Sequence, residues 1–370
     1  MHLTLHITNK CNLNCKYCFV PHGHQSMTKE IAMAAIKLAM KDGKPTGLLF
    51  YGGEPLLEKQ LIYDIIEETQ KIKAATGHLF QYKMTTNGTL LDEEFLKMSK
   101  DVNLTIGMSH DGFAQDDNRL FYDGSGSFNL LEEKIPLLLN YQPYAVGLSV
   151  VDPSTVHQAA ATVEFLYQKG FKYITVGMNY DLVAPWTTEK MLVLEAEYQK
   201  MAKMYMDWVR REEKFYLSSF DMKILSHLKG EKYNLDRRLQ SKNQISVGPD
   251  GKLYPGSRYL DQPEFEIGDV FSGIDETRRE MIYERGTNPL EPCQKCAIRT
   301  RCNYVYDSLS SENGEMVTDI SPVQCAHERL VTPIADRVAE KLYQEENALF
   351  IHKHYNELYP VMSLIEDNIG

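Results

Sequence analysis

Cys11, Cys15 and Cys18 stand close together directly behind an alternating strand pattern over His2 to Thr8. A cubic four-iron cluster has four corners and takes thiolates as its usual protein ligands. Three cysteines at this spacing therefore fill three irons and leave the fourth open to a small molecule. Zinc is the competing occupant: a structural zinc wants four closed ligands, and His22 or His24 could complete that set. Gly52, Gly53 and Glu54 follow the second strand pattern. Two glycines let backbone approach a ligand closely, and Glu54 or the nearby carbonyls can accept from an ammonium. Later strand patterns end at Asn87 and at Ser109, the second followed by His110 and, further on, Arg119. An arginine can pair a carboxylate through two parallel bonds, or it can make a surface ion pair with Asp116 or Asp117. His110 has no evident ligand partner and reads as structural or substrate-facing. A second group, Cys293, Cys296, Cys302 and Cys325, offers four thiolates and thus a closed site. Ligand chemistry alone serves an iron-sulfur cluster and a zinc equally there.

The 370 residues are 43% hydrophobic and 25% charged, with a formal net charge of −11. That balance describes an ordinary globular protein and offers no basic face for a phosphate backbone. No nucleic-acid partner is expected. Nor is a membrane partner, since no apolar run approaches spanning length, and with no signal-like N-terminus the expected location is cytoplasmic. The seven cysteines fall into groups of three and four with none between. Such grouping suits metal ligation in a reducing compartment better than disulfides.

These residues need a frame that brings strand ends together. Strand patterns over Leu3 to Thr8, Gly47 to Tyr51, Tyr82 to Thr85, Leu104 to Ser109, Ala145 to Val151 and Tyr173 to Gly177 alternate with amphipathic segments such as Glu30 to Met40, Gln60 to Lys73 and Val156 to Lys169. Alternation of this kind predicts an α/β fold, an open barrel of six βα units with its ligands at the strand C-terminal ends. The expected divisions are this barrel over 1–185, a helical connector over 186–243, an auxiliary cysteine domain over 244–330 and a helical tail over 331–370, broken near Pro360. Tyr198, Met201, Met204, Tyr205 and Trp208 read as a core-facing helical stripe. Pro249, Asp250 and Gly251 signal a hairpin turn.

The triad, with Tyr17 in the aromatic place before its last cysteine, resembles the signature of the radical SAM superfamily. Gly52, Gly53 and Glu54 resemble the motif that receives the amino group of S-adenosylmethionine. The resemblance implies a partial (β/α)6 TIM-like radical SAM barrel and a [4Fe-4S] cluster on Cys11, Cys15 and Cys18. It further implies S-adenosylmethionine held by Tyr17, Phe19, Gly52, Gly53, Glu54, Asn87, Ser109 and Arg119, with Ser109 at the ribose and Arg119 at the methionine carboxylate. The later cysteines resemble the C-terminal SPASM or twitch-like domain of such enzymes, which implies an auxiliary [4Fe-4S] cluster. A full SPASM domain has two further cysteines where this chain has Gly256 and Tyr306. One auxiliary cluster, and two clusters in all, are therefore expected. In the family, reductive cleavage of S-adenosylmethionine gives a 5'-deoxyadenosyl radical that takes hydrogen from a peptide carbon, and the auxiliary cluster can accept the second electron.

The layout resembles the anaerobic sulfatase-maturing enzymes, which oxidise a Cys or Ser to formylglycine. Those carry an Asp base where this chain has Ser257 and a Tyr where it has Val20, while Phe220 and Asp221 match a segment of theirs only in part. A serine hydroxyl cannot act as that base unaided. The better resemblance is to maturases of ribosomal peptides (RiPPs), including those that close thioethers on cysteine-repeat precursors, with which the segment from Asn303 to His327 and the tail agree. It implies an oxidoreductase that crosslinks a Cys-containing ribosomal precursor peptide, most simply as a thioether, with an electron donor such as flavodoxin or ferredoxin. Epimerisation needs a free thiol, and the clusters claim all seven cysteines. The alternatives are formylglycine formation and a non-catalytic iron-sulfur or zinc-binding regulatory protein, the latter disfavoured by a complete cosubstrate pocket. With Cys11 so early, leader binding is expected at the barrel flank, the C-terminal region or a separate protein. No residue is assigned as catalytic; the radical arises at the cluster of Cys11, Cys15 and Cys18.

Overall fold

The structure, a computed structural model, describes residues 1–181, 183–241, 243–287, 290–302, 309–312 and 314–359. In chain order the first eleven strands are β1 (His2–Thr8), β2 (Leu13–Cys15), β3 (Thr46–Gly52), β4 (Phe80–Thr86), β5 (Leu104–Ser109), β6 (Arg119–Phe121), β7 (Val146–Val151), β8 (Tyr173–Met178), β9 (Tyr216–Leu217), β10 (Gln244–Val247) and β11 (Leu253–Tyr254). The helices are α1 (Lys29–Ala39), α2 (Lys59–Thr76), α3 (Glu93–Asp101), α4 (Gln115–Asn118), α5 (Phe128–Tyr141), α6 (Ala159–Gln168), α7 (Thr188–Arg210), α8 (Ser218–Ser241), α9 (Glu276–Thr287), α10 (Glu291–Gln294), α11 (Pro322–Gln344) and α12 (Ala348–Tyr355).

Nine strands make one sheet in the order β11-β10-β1-β3-β4-β5-β7-β8-β9. All of its ladders are parallel except that of β11 on β10. Parallel neighbours need crossovers, and helices supply them, so the outer sheet face is covered and the strands read as apolar runs. Leu3, Leu5, Ile7, Leu48, Phe50, Met84, Ile106 and Met108 are all buried in one core with Ile36, Ile62, Ile65 and Phe95 from the helices. Each such side chain contributes roughly 1.5–3 kcal/mol on burial. Helix α1 starts where it does because the Thr28 hydroxyl accepts from Ile31 N at 3.2 Å, a cap that contributes about 1 kcal/mol. The edge strands β11 and β9 do not pair, so the barrel stays open.

The six expected strands lie where the alternation placed them, extended by a residue or two at some ends. The stripe on α7 faces inward, with Tyr198, Met201, Tyr205 and Trp208 buried. The hairpin turn joins β10 to β11, and Gly251 there takes φ +91, a left-handed conformation suited to glycine. Two expected divisions do not coincide with breaks in the fold. Strand β10 continues the barrel sheet beside β1, and α11 runs through residue 330 without interruption. The tail breaks at Glu346, with φ +51, and restarts at Asn347, whose side chain accepts from Phe350 N at 2.9 Å. Pro360 and Tyr306 lie outside the described residues. No described helix is long and apolar enough to cross a membrane.

Candidate active site

The cysteine loop begins where β1 ends, and the turn after β3 packs directly on its start. Gly53 N donates to Thr8 O and Glu54 N to Lys10 O, each at 2.8 Å. A Cβ on Gly52 would lie 2.4 Å from Thr8 O, and one on Gly53 would lie 2.1 Å from Lys10 O. Both glycines are thus demanded by the protein's own backbone as well as by any ligand. Glu54 turns inward, contrary to a role as the ammonium acceptor. Its carboxylate accepts from Thr86 Oγ1 at 2.7 Å, Asn87 N at 2.7 Å and Leu56 N at 3.0 Å. Burial pushes its carboxyl up to about 7. The side chain ties the end of β3 to the end of β4, so an ammonium there would turn to the backbone carbonyls.

Asn87 faces the triad. Its Nδ2 donates to Asn12 Oδ1 at 2.8 Å and lies 3.9 Å from Cys11 Sγ, while its Oδ1 accepts from Thr89. Asn12 in turn donates to Thr89 Oγ1 at 2.8 Å. Cys11 Sγ also receives Leu13 N at 3.5 Å. Donors aimed at a sulfur suit a thiolate that carries metal. The loop's far side is stitched by a two-strand ladder of β2 on β6, in which Cys15 lies opposite Arg119. Strands of three residues each are too short to give a periodic signal for this pairing.

Arg119 is buried, not on the surface, and its partner is Asp111. Its Nε donates to Asp111 Oδ2 at 3.1 Å and its Nη2 to Oδ1 at 3.4 Å. Asp116, one of the expected surface partners, instead accepts from Ser127 N and Phe128 N. The guanidinium sits 5.2 Å from the centre of the Tyr17 ring, and the Tyr17 hydroxyl donates to Asp111. Asp111 was not among the expected site residues. A carboxylate two positions beyond a strand end looks like any turn former. Phe19 is 57% exposed and stacks on Tyr51 at 6.5 Å. Ser109 is half-buried at the end of β5. His110 is sealed in the interior, with Nδ1 accepting from Gly112 N and the ring against Phe165 and Phe128, so of its two readings the structural one holds.

Burial pushes the Cys11 thiol up to about 12 and raises Cys15 and Cys18. Metal ligation therefore has to displace their protons. Among the described residues no three His, Cys, Asp or Glu side chains converge tightly enough for a single ion. Tetrahedral zinc with Zn–S of about 2.3 Å would draw its thiolates within roughly 4 Å of one another. His22 is engaged elsewhere, 3.1 Å from the Tyr122 hydroxyl. Three thiols on one loop, with Leu13 N and Asn87 Nδ2 aimed at Cys11 Sγ, fit a group that takes three protein thiolates.

Ser257 does not stand alone. Its hydroxyl lies 3.0 Å from His6 Nε2 and 3.0 Å from Ser246 Oγ. His6 is buried on β1 with its ring against Tyr51 at 5.2 Å, and burial lowers it to about 3. Asp221 accepts from the Tyr205 hydroxyl and from Leu217 N, each at 2.7 Å, and pairs with Lys353 at 2.7 Å. It clasps α12 to the barrel flank, far in sequence from the chemistry-bearing loops.

The later cysteines are carried by successive turns. Cys293 N donates to Leu290 O, Cys296 N to Cys293 O and Arg299 N to Cys296 O. Cys325 sits in the first turn of α11, and the Arg329 guanidinium lies 3.9 Å from Cys296 Sγ. Burial raises the Cys293 thiol, and neighbouring Cys325 and Cys296 raise it further. Arg301, beside Cys302, is fixed to α11 through Asp336 at 2.6 and 2.8 Å.

Residues 5–166 match the radical SAM superfamily. An uncharacterized protein of Methanocaldococcus jannaschii is 29% identical over 52% of this chain, which spans 66% of that relative. The cysteine-type anaerobic sulfatase-maturating enzyme of Clostridium perfringens (strain 13 / Type A) is 23% identical over 83% of this chain and 89% of its own length. Among solved structures, native anSMEcpe with bound AdoMet and Cp18Cys peptide superimposes with a TM-score of 0.76 at 18% identity, covering 93% of this chain and 99% of that one. Streptococcus suis SuiB bound to precursor peptide SuiA superimposes with a TM-score of 0.58 at 13% identity, covering 81% of this chain and 70% of that one. At these identities the structural likeness is one of fold. Residues 5–166 carry a radical SAM domain, and the chain is an S-adenosylmethionine-dependent, iron-sulfur enzyme.

Proposed function

We propose that this enzyme is a peptide maturase that oxidatively crosslinks a Cys-containing ribosomal precursor, closing a thioether. The observation that carries the reading is the triad loop, which sets three thiols at the mouth of an open barrel. Cys11, Cys15 and Cys18 would hold a [4Fe-4S] cluster, and Tyr17, Phe19, Asn87, Ser109 and the carbonyls of Gly52 and Gly53 would surround the place for S-adenosylmethionine. When bound, that pair supplies the radical that removes a hydrogen atom from the peptide. Glu54 holds two strand ends in register, and the exposed Phe19 and the gap between β9 and β11 leave an extended chain a way in. Cys293, Cys296, Cys302 and Cys325 would hold an auxiliary [4Fe-4S] cluster suited to taking the second electron. An electron donor such as flavodoxin or ferredoxin would serve the first. The peptide ligands named for anSMEcpe and SuiB support a peptide substrate here.

One observation favours a second reading, formylglycine formation. Ser257 hydrogen-bonds His6 Nε2 at the position where those enzymes carry their base, although burial holds that imidazole at about 3 and makes it a weak proton acceptor. Anaerobic turnover of the Cp18Cys peptide and of short Cys-containing frames encoded beside this chain separates the two, by mass spectrometry. Loss of two hydrogens with the cysteine protected from alkylation supports the thioether. Loss of sulfur with gain of an aldehyde would select formylglycine, and unchanged mass with deuterium from heavy water would mean epimerisation.

A further inference from the structure

Arg119 is held more firmly than a ligand-gripping side chain needs to be. Asp111 Oδ1 accepts from Val150 N at 2.9 Å, and its Oδ2 accepts from the Tyr17 hydroxyl and from Asn118 Nδ2. The Asp111 backbone is pinned as well, its N donating to Gln115 Oε1 at 2.8 Å and its O accepting from Thr162 Oγ1 at 2.9 Å. This fixed carboxylate occupies the Nε and Nη2 edge of the guanidinium. That edge is one of the forks with which an arginine would embrace a carboxylate. The cation lies on the face of Tyr17 and directly opposite Cys15 across the β2–β6 ladder. Facing residues of an antiparallel pair have Cβ atoms about 4.5–5.5 Å apart, which puts Arg119 beside the Cys15 sulfur.

We propose that Arg119 is a positioning residue of the cluster rather than a reader of the methionine carboxylate: locked by Asp111 and Tyr17, it fixes Cys15 and makes the cluster easier to reduce. A cluster that gains an electron gains negative charge at its sulfurs. A buried cation beside one of those sulfurs stabilises the reduced form, and hydrogen bonding and nearby charge are known levers on cluster potential. Asp111 opposes this in part, because its own charge lies close by.

Opposite shifts from the two neighbours are the signature that mere structural damage would not give. Holoenzyme is reconstituted anaerobically as wild type, Arg119→Gln and Asp111→Asn, and the paramagnetic resonance signal that S-adenosylmethionine perturbs is titrated against potential. Arg119→Gln should make reduction about tenfold less favourable, a midpoint lower by about 59 mV for one electron. Asp111→Asn should move the midpoint upward, and S-adenosylmethionine affinity in Arg119→Gln should stay within about threefold of wild type. Midpoints that do not move, or that move in the same direction, overturn the proposal, as does a tenfold loss of affinity with the midpoint unchanged. Should Arg119→Gln fail to retain iron, the near-isosteric Asp111→Asn decides alone, by its upward shift or lack of one. A wild type without a signal responsive to S-adenosylmethionine would refute the cluster itself.

Discussion

Lys223 on α8 donates to Glu328 on α11 at 2.5 Å, with only 5% and 4% of the two side chains exposed. Glu328 lies one turn beyond Cys325, so this buried pair anchors the helix that would bring the last auxiliary thiolate to the barrel. Breaking such a pair from one side leaves an uncompensated buried charge, which costs about 3–5 kcal/mol. Lys223→Met should lower the thermal midpoint sharply. Lys223→Met with Glu328→Leu should recover most of the loss, and a double variant as unstable as the single one would deny the coupling.

Ser257 and His6 give a second prediction. Ser257→Ala, which removes a hydroxyl held by His6 and Ser246, should cut crosslinked or oxidised peptide by about tenfold, the scale of one lost hydrogen bond, while 5'-deoxyadenosine still forms. Ser257→Asp, which replaces the hydroxyl by a carboxylate, should restore product. Product equal to wild type in Ser257→Ala would make the hydroxyl a bystander.

Buried neutral histidines set the acid limb of stability. Burial lowers His6 to about 3 and His110 to about 4; around His110, Asp111 and Asp116 oppose the shift while Arg119 and Lys169 add to it. The unfolded chain takes up these protons first, near pH 6.5. Stability is therefore full above that pH and falls as the pH drops toward 4, by up to about 1.4 kcal/mol per unit for each histidine. His110→Gln cannot protonate, so its thermal midpoint should fall less between pH 7 and pH 5. An identical fall in both proteins would remove His110 from the account.

The barrel was legible because period-2 apolar runs alternate with period-3.6 segments, as at Leu104–Ser109 and α6. The cysteines and glycines were legible because their spacing is local. What sequence reading missed is long-range: Asp111 gathering Tyr17 and Arg119, Asn12 bonded to Thr89, and His6 reaching Ser257 across 251 residues. None of these leaves a periodic trace. Glu54 was read outward from its motif, whereas three buried donors turn it inward. The strands β2 and β6 are three residues each, too short for alternation to show.

The auxiliary site is tested by metal content. Seven cysteines shared between two four-iron clusters predict about eight irons per chain, falling by about half in a Cys293→Ala, Cys296→Ala variant. Zinc in that variant's wild-type parent, with about four irons, would make the later cysteines a structural zinc site.

Reductive cleavage of S-adenosylmethionine tests the central claim most directly. Reconstituted wild type under a strong reductant should release methionine and 5'-deoxyadenosine in equal amounts, and the Cys11→Ala, Cys15→Ala, Cys18→Ala variant should release neither. Wild type that binds iron but forms no 5'-deoxyadenosine, or a triple variant that still forms it, would contradict the account.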